Sequence, residues 1–248
     1  VRAFADHFSR LSTGYAAYRP HYPEGLFAAL AAAHPHHDPV WDAATGSGQA
    51  AVGLARHFTM VHASDASVQQ VRAARPHERV HYFVGRAEAT AVRSRGVGLV
   101  TMAQALHWVD LPEFYAEVRR VLRPGGLLAV WTYGGQQVDG GPIDGTIADF
   151  YDRVIGEYWA PERRLVETGY RTLPFPFEEI ALVSPPMVAE WNLGQLLGYI
   201  GTWSAVAKCR EVTGTDPMEP LASRLLPLWG DPAAARWIEW PISLRVGR

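Results

Sequence analysis

The chain has 248 residues, 48% of them hydrophobic and 19% charged, with a formal net charge of −2. That length and apolar content suit one α/β-sized domain with a sizeable core. No basic run stands out, so neither nucleic acid nor an anionic membrane, both of which demand clustered cations, is an expected partner.

A single cysteine, Cys209, leaves no internal disulfide and no thiolate metal cluster, in keeping with a reducing compartment. No apolar run reaches the roughly eighteen residues that a membrane span requires. The stretch Val1 to His7 lacks the apolar core of a signal peptide, so a cytoplasmic location is expected. Lys208 is the only lysine among 23 basic residues, and it has no obvious activating neighbour for Schiff-base chemistry.

In chain order, residues 23–34 read as a helix, with Pro23 near its start and Leu26, Phe27 and Leu30 on one face. The stretch His34-Pro35-His36-His37-Asp38-Pro39 breaks it, and with no fourth ligand at helical spacing no metal site is expected. Strand signals recur at Val40–Ala44, Met60–Ala63, Val80–Val84, Val97–Ala103 and Leu127–Tyr133. Of the helices between them, the clearest is Pro112–Leu122, which Arg123-Pro124-Gly125-Gly126 stops and turns. Such alternation predicts a parallel sheet with helices on both faces.

After Tyr133 the rhythm changes. Gly134 to Pro142 is loop-like, residues 143–158 read as helical, and the next segment is rich in Pro and aromatics, among them Trp159, Tyr170, Trp191, Tyr199 and Trp203. Alternation in Phe177–Val183 and Trp237–Val246 predicts two strands added to the far edge of the sheet. The aromatic helices between them would form a lid over the strand ends.

The chemistry concentrates in Val40-Trp41-Asp42-Ala43-Ala44-Thr45-Gly46-Ser47-Gly48-Gln49 and in Asp65, at the end of the next strand. Glycines let backbone amides approach a ligand, and a carboxylate after the second strand can accept both ribose hydroxyls. Gly46-Ser47-Gly48-Gln49-Ala50-Ala51 satisfies the dinucleotide pattern, a weak signal alone. Two features argue against NAD: Asp42 would approach a pyrophosphate, and no second mononucleotide-binding half follows residue 134. A sulfonium cofactor lacks phosphate and carries an ammonium group that a carboxylate near the loop would attract.

With these motifs the chain resembles the class I S-adenosylmethionine-dependent methyltransferases, in the small-molecule group that includes trans-aconitate methyltransferase. The resemblance covers nearly the whole chain. It runs from Phe4-Ala5-Asp6-His7-Phe8-Ser9 and Tyr15-Ala16-Ala17-Tyr18-Arg19-Pro20 through the glycine loop, Asp65-Ala66-Ser67 and Gly85-Arg86-Ala87-Glu88. It continues with Gln104-Ala105-Leu106-His107-Trp108, Val121-Leu122-Arg123-Pro124-Gly125-Gly126, Thr202-Trp203-Ser204 and Trp240-Pro241-Ile242. One departure stands out: the family's Gly-Cys-Gly reads Ala44-Thr45-Gly46, and alanine disfavours positive φ.

The resemblance implies a Rossmann-like, seven-stranded, mostly parallel α/β sheet with helices on both faces and an aromatic-rich helical lid. It implies a single methyltransferase domain over 1–248: a cover segment 1–22, a cofactor-binding core 23–134, a substrate lid 135–205, and a last helix and strand in 206–248. S-adenosylmethionine would be held by Tyr15, Arg19, Asp42, Ala44, Gly46, Gly48, Asp65, Ala66, Ala87, Glu88, Gln104 and Ala105. His107 is the candidate base or acceptor-orienting donor. Trp108, Trp131, Tyr133, Arg163 and Trp203 would meet a small-molecule acceptor, and the protein would be a monomer or homodimer. Arg163 suits an anionic acceptor because guanidinium grips carboxylate bidentately. Carboxyl O-methylation leads, since an ionised acid needs no general base. The alternatives are an NAD-dependent oxidoreductase using the same loop, and a non-catalytic cofactor-binding protein of this fold.

Overall fold

A computed structural model describes residues 18–34, 36, 38–138 and 141–248. The first helix, α1 (Glu24–Ala33), buries Leu26, Phe27 and Leu30, the face its apolar spacing predicts. Five strands then alternate with helices: β1 (Val40–Ala43), α2 (Gln49–Leu54), β2 (Val61–Asp65), α3 (Val68–Ala73), β3 (Val80–Val84), β4 (Val97–Ala103), α4 (Leu111–Val121) and β5 (Leu122–Tyr133). β1 and β4 are apolar and buried along nearly their whole length, as strands covered on both faces must be. The Asp110 side chain accepts from the Glu113 amide and so caps α4, whose Phe114, Tyr115, Val118 and Val121 face the sheet.

Beyond β5 come α5 (Pro142–Asp149), which runs into a π-helical turn at Phe150–Val154, then α6 (Arg163–Glu167), β6 (Glu179–Ile180) and β7 (Met187–Trp191). Three helices follow, α7 (Leu193–Gly201), α8 (Ser204–Thr213) and α9 (Met218–Trp229), before the strands β8 (Arg236–Trp240) and β9 (Ile242–Gly247).

The main sheet has seven strands in the order β3-β2-β1-β4-β5-β9-β6. β1 to β5 pair in parallel, whereas β9 runs antiparallel to both β5 and β6. The predicted edge strands need one correction. The stretch Trp237–Val246 is two strands, not one. Pro241 lacks an amide proton and breaks the ladder, so β8 pairs with β7 in a separate two-stranded sheet while β9 joins the main one. Likewise only Glu179–Ile180 of the predicted Phe177–Val183 strand pairs.

Two apolar clusters sandwich the sheet. One, with Leu26, Phe27, Leu54 and Trp131, lies under α1 and α2; the other, with Trp41, Phe114 and Tyr170, lies under α4. A third, rich in aromatics, joins Tyr133 to Phe150, Tyr199, Trp203 and Trp240 beyond the C-terminal end of β5. Among the described residues no helix is long and apolar enough to cross a membrane.

Candidate active site

The loop after β1 is organised by two carboxylates. Asp42 is almost wholly buried, and its oxygens accept from the Thr45 hydroxyl at 2.5 Å and the Thr101 hydroxyl at 2.7 Å. Burial lifts its pKa to about 6 against the pull of those two bonds. The Thr45 amide donates to the Ser64 carbonyl at 2.9 Å. Asp65 Oδ2 accepts from the Gly46 amide at 2.9 Å and its Oδ1 from the Ser67 amide at 2.8 Å. Asp42 thus holds the loop from beneath, and Asp65 holds it from the end of β2.

The loop backbone is left-handed at Ala44, Gly46 and Gly48, with φ of 53°, 56° and 79°. Gly48 needs to be glycine twice over, because a Cβ there would stand 2.1 Å from the Tyr82 hydroxyl. Gly46 faces open space, its nearest neighbour for a Cβ being Gln70 Oε1 at 4.0 Å. Ala44 is the irregular point foreseen in the sequence: an alanine with its Cβ in a conformation that glycine adopts without cost.

Arg19 and Tyr22 stand at the end of β5. Arg19 Nη1 donates to the Tyr133 hydroxyl at 2.6 Å, and its guanidinium lies 5.8 Å from the Tyr199 ring centre. Tyr22 packs edge-on against Trp131 and Tyr133. At the end of β4, Gln104 also adopts a left-handed backbone, with φ of 57°. Its Oε1 accepts from the Thr132 hydroxyl at 2.7 Å, and the buried Ala105 follows it. Tyr15 lies outside the described residues.

His107 sits in a single 3-10 turn, Leu106–Trp108, directly after β4. Its Nδ1 lies 2.8 Å from the hydroxyl of Tyr170, which is completely buried. Burial, with the Arg163 charge as a smaller contribution, lowers the His107 pKa to about 4. The same burial pushes the Tyr170 phenol well above its ordinary range.

Arg163, the first residue of α6, donates from Nε to the Tyr151 hydroxyl at 2.7 Å; that hydroxyl in turn bonds Glu167. Its guanidinium stacks 4.7 Å from the Trp159 ring centre and 5.5 Å from that of Tyr151. Trp203 touches both rings and Tyr199, which links this cluster to the Arg19 side. Tyr151 belongs to the π-helical turn, a widened geometry that often marks functional segments.

Some expected residues stand elsewhere in the arrangement. Trp131 is wholly buried in the cluster beneath α1 and α2, so it backs Tyr22 instead of lining a pocket. Alternation along β5 explains this, since Trp131 and its neighbour Thr132 must face opposite ways. Trp108 is 39% exposed and stacks on His107 with ring centres 4.6 Å apart, at the rim. Glu88 receives the Asp110 amide and pairs with Arg86, tying the loop beside the buried Ala87 to the start of α4. Ala66 is half-buried beside Asp65.

Among the histidines after α1, His34 and Asp38 pair at 3.3 Å, Asp38 also meets Arg123, and His37 lies outside the described residues. Among the described residues no group of three or more His, Cys, Asp or Glu side chains is placed to hold a metal. Sequence reasoning missed Tyr170, Tyr151 and Trp159 as site residues. The aromatic richness of that segment was visible, but nothing local says which rings turn inward.

Antiparallel β9, inserted between β5 and β6, departs from the all-parallel order of dinucleotide-binding sheets. With the Asp42 and Asp65 loops at the strand ends, this sheet order is that of a methyltransferase-type Rossmann-like fold. Comparison with known proteins agrees. A family model described as a methyltransferase domain matches residues 41–130. A Dictyostelium discoideum protein, provisionally named a methyltransferase, is 30% identical over 226 residues, spanning 90% of this chain and 86% of its own. An uncharacterised methyltransferase of Mycobacterium tuberculosis is 33% identical over 167 residues, 65% of this chain and 62% of its own.

A solved structure provisionally described as a type II methyltransferase from Anaeromyxobacter dehalogenans is 44% identical. It superposes with a TM-score of 0.87 over 93% of this chain and 97% of that one. The chain belongs to the methyltransferase family, and it is an S-adenosylmethionine-dependent enzyme. The oxidoreductase alternative does not fit that membership.

Proposed function

We propose that this methyltransferase transfers its methyl group to the carboxylate of a small molecule with apolar bulk. The observation that carries this reading is the posture of Arg163. Its Nε bonds the Tyr151 hydroxyl and lies 3.8 Å from the Glu167 carboxylate, its guanidinium rests against Trp159 and Tyr151, and its Nη nitrogens make no hydrogen bond among the described residues. A guanidinium held by its stem with its terminal nitrogens uncommitted is preorganised for an oxyanion. The buried Trp159 Nε1 likewise has no acceptor among the described residues.

The loop fits the cofactor. Open space over Gly46 admits a ligand, and Asp65 is oriented by two backbone amides. A carboxylate at the end of the second strand is the group that accepts ribose hydroxyls in nucleoside-binding sheets. Asp42 shapes the loop for the methionine end, with the backbone of Ala44, Gly46 and Gly48 beside it. Arg19 covers the cofactor; Ala66, Ala87 and Glu88 border the adenine; Gln104 and Ala105 close the methionyl side. Bound S-adenosylmethionine supplies an electrophilic methyl group. The protein orients the acceptor and excludes water. Tyr133, Trp108 and Trp203 form the acceptor walls, with residues 135–205 as the cover.

His107, neutral above about pH 4, is too weak a base to strip a proton from an alcohol or phenol. An ionised acid does not ask it to. Replacing Arg163 by Met keeps the bulk and removes the charge. Steady-state kinetics with a carboxylic-acid acceptor should show KM raised at least roughly tenfold, the size of one charge-assisted hydrogen bond. The Kd of S-adenosylhomocysteine should hold. An unchanged KM would remove Arg163 from the acceptor site.

A further inference from the structure

The His107–Tyr170 contact carries a consequence for which nitrogen of the imidazole faces the acceptor. Tyr170 is fully enclosed and ends the short turn Thr168-Gly169-Tyr170 that follows α6. Gly169 and Tyr170 both have left-handed backbones, with φ of 62° and 61°. For glycine that is ordinary; for a tyrosine it is a genuine outlier, tolerated only where the surroundings over-determine it. Those surroundings are visible. The Tyr170 amide donates to the Leu165 carbonyl at 2.9 Å, and the Tyr170 carbonyl accepts from Arg245 Nη1 at 2.9 Å. Arg245 is anchored in turn on Glu179 and stacks on Phe175. The turn is therefore clamped by β9, and the Tyr170 hydroxyl lies 2.8 Å from His107 Nδ1, with the Thr132 side chain and the Leu106 backbone also bonded to it.

In a pair of neutral groups, a phenol is the stronger donor and an unprotonated imidazole nitrogen the stronger acceptor. On that ranking the hydrogen bond runs from the Tyr170 hydroxyl to Nδ1. The tautomer of a histidine is set by the bond its other nitrogen makes. We propose that Tyr170 is a positioning residue that locks His107 as the Nε2–H tautomer, so that His107 presents a hydrogen-bond donor to the methyl acceptor. This proposal deepens the acid-acceptor reading above and rests on it for the identity of the acceptor.

Its consequence is selectivity by hydrogen-bond polarity. Nε2–H and the Arg163 Nη nitrogens, none of which makes a hydrogen bond among the described residues, are the uncommitted donors here, whereas the Glu167 carboxylate on the stem side of Arg163 is taken up by Arg163 Nε and the Tyr151 hydroxyl. Uncommitted donors welcome an oxygen bearing lone pairs, and an ammonium or N–H group placed against them gains no bond from them. A site built to bond one polarity rejects the other strongly, because the mismatched group stays buried and unpaired. α6 and the turn after it thus deliver both devices: Arg163 at the first residue of the helix and Tyr170 beyond its last.

The direct test is the protonation of the His107 ring in the whole protein, read by nitrogen-15 NMR of histidine-labelled enzyme with S-adenosylhomocysteine added. His107→Gln assigns the resonances. The expected spectrum shows His107 with a protonated Nε2 and a bare Nδ1 throughout pH 6 to 8. A proton on Nδ1, or a ring that averages between the two forms, overturns the proposal.

Tyr170→Phe keeps the buried ring and removes only the hydroxyl. It should release the lock, giving a mixed tautomer signal, while the Kd of S-adenosylhomocysteine stays within roughly twofold and kcat falls at least roughly tenfold. A locked Nε2–H tautomer persisting in Tyr170→Phe also overturns it. The tautomer is read without turnover. If the lock is found and no acid is methylated, the acceptor reading alone falls.

Discussion

At the residue scale, Ala44 and Asp42 are where this chain departs from what the local physics would choose freely. Ala44 holds φ of 53°, where its Cβ crowds the backbone at a cost of about 1–2 kcal/mol. Glycine would remove that strain but give back about 0.5–1 kcal/mol as extra freedom in the unfolded chain. Ala44→Gly should therefore raise the unfolding free energy modestly, by up to about 1 kcal/mol in urea titration. A destabilised variant would mean that the alanine methyl contributes packing worth more than the strain.

Thr45 shows the compensation beside it. Where the related loops have cysteine, its hydroxyl supplies one of the two donors that make a buried carboxylate tolerable. The two titratable groups of the site then pull in opposite directions. Asp42 has its folded pKa raised to about 6, so its contribution is full below the ordinary carboxylate value and declines as pH rises through about 6. His107 has its folded pKa lowered to about 4, so its contribution is full above its ordinary value of 6.5 and declines as pH falls toward 4. In His107→Gln the second slope disappears. Between pH 7 and 4 the variant should gain about 3 kcal/mol relative to the parent, at 1.36 kcal/mol for each pKa unit. Urea unfolding at the two pH values measures it; a constant difference would contradict the assigned burial of His107.

At the scale of elements, the site is a set of strand ends tied to one another across the sheet. Asp65 at the end of β2 fixes Gly46 in the loop after β1, so the carboxylate proposed to take the ribose also braces the loop. Asp65→Ala removes both functions at once. Calorimetry should show S-adenosylhomocysteine binding weakened by about 1.5–3 kcal/mol, the range for hydrogen bonds to a charged group. Undiminished affinity would exclude Asp65 from the cofactor.

The elements that set this framework were readable because they repeat a simple pattern. Buried runs at β1, β4 and β5 are interrupted by an amphipathic α4 with a capping Asp110, and each signal is local. The second half was harder to read. Pro241 separates two alternating strands that look continuous, and the partner of β8 is β7, nearly fifty residues earlier in the chain. The glycine loop, Asp65 and His107 were legible as types in a sequence pattern. Tyr170 was not: its part depends on a left-handed turn clamped by Arg245 from β9, and no short-range pattern encodes a contact 75 residues away.

At the scale of the whole molecule, two halves meet over the C-terminal ends of β1, β4 and β5. The parallel half carries the nucleoside loops. The aromatic half, with Tyr151, Trp159, Tyr199 and Trp203 packed about Arg163 and Arg19, carries the cationic side chains that face it. A cation on an aromatic wall beside a neutral histidine suits an acid with apolar bulk, and it does not suit an amine. The most direct measurement is the chemistry of the product. Enzyme and S-adenosylmethionine carrying a radioactive methyl group would be incubated with cinnamate, indole-3-acetate and decanoate, in parallel with the matching alcohols and amines. The products would then be treated with alkali. The account predicts transfer to acids alone, with the label released as volatile methanol because a methyl ester hydrolyses in base. Label that stays with an alcohol or amine product through alkali, with none on the acids, would contradict it.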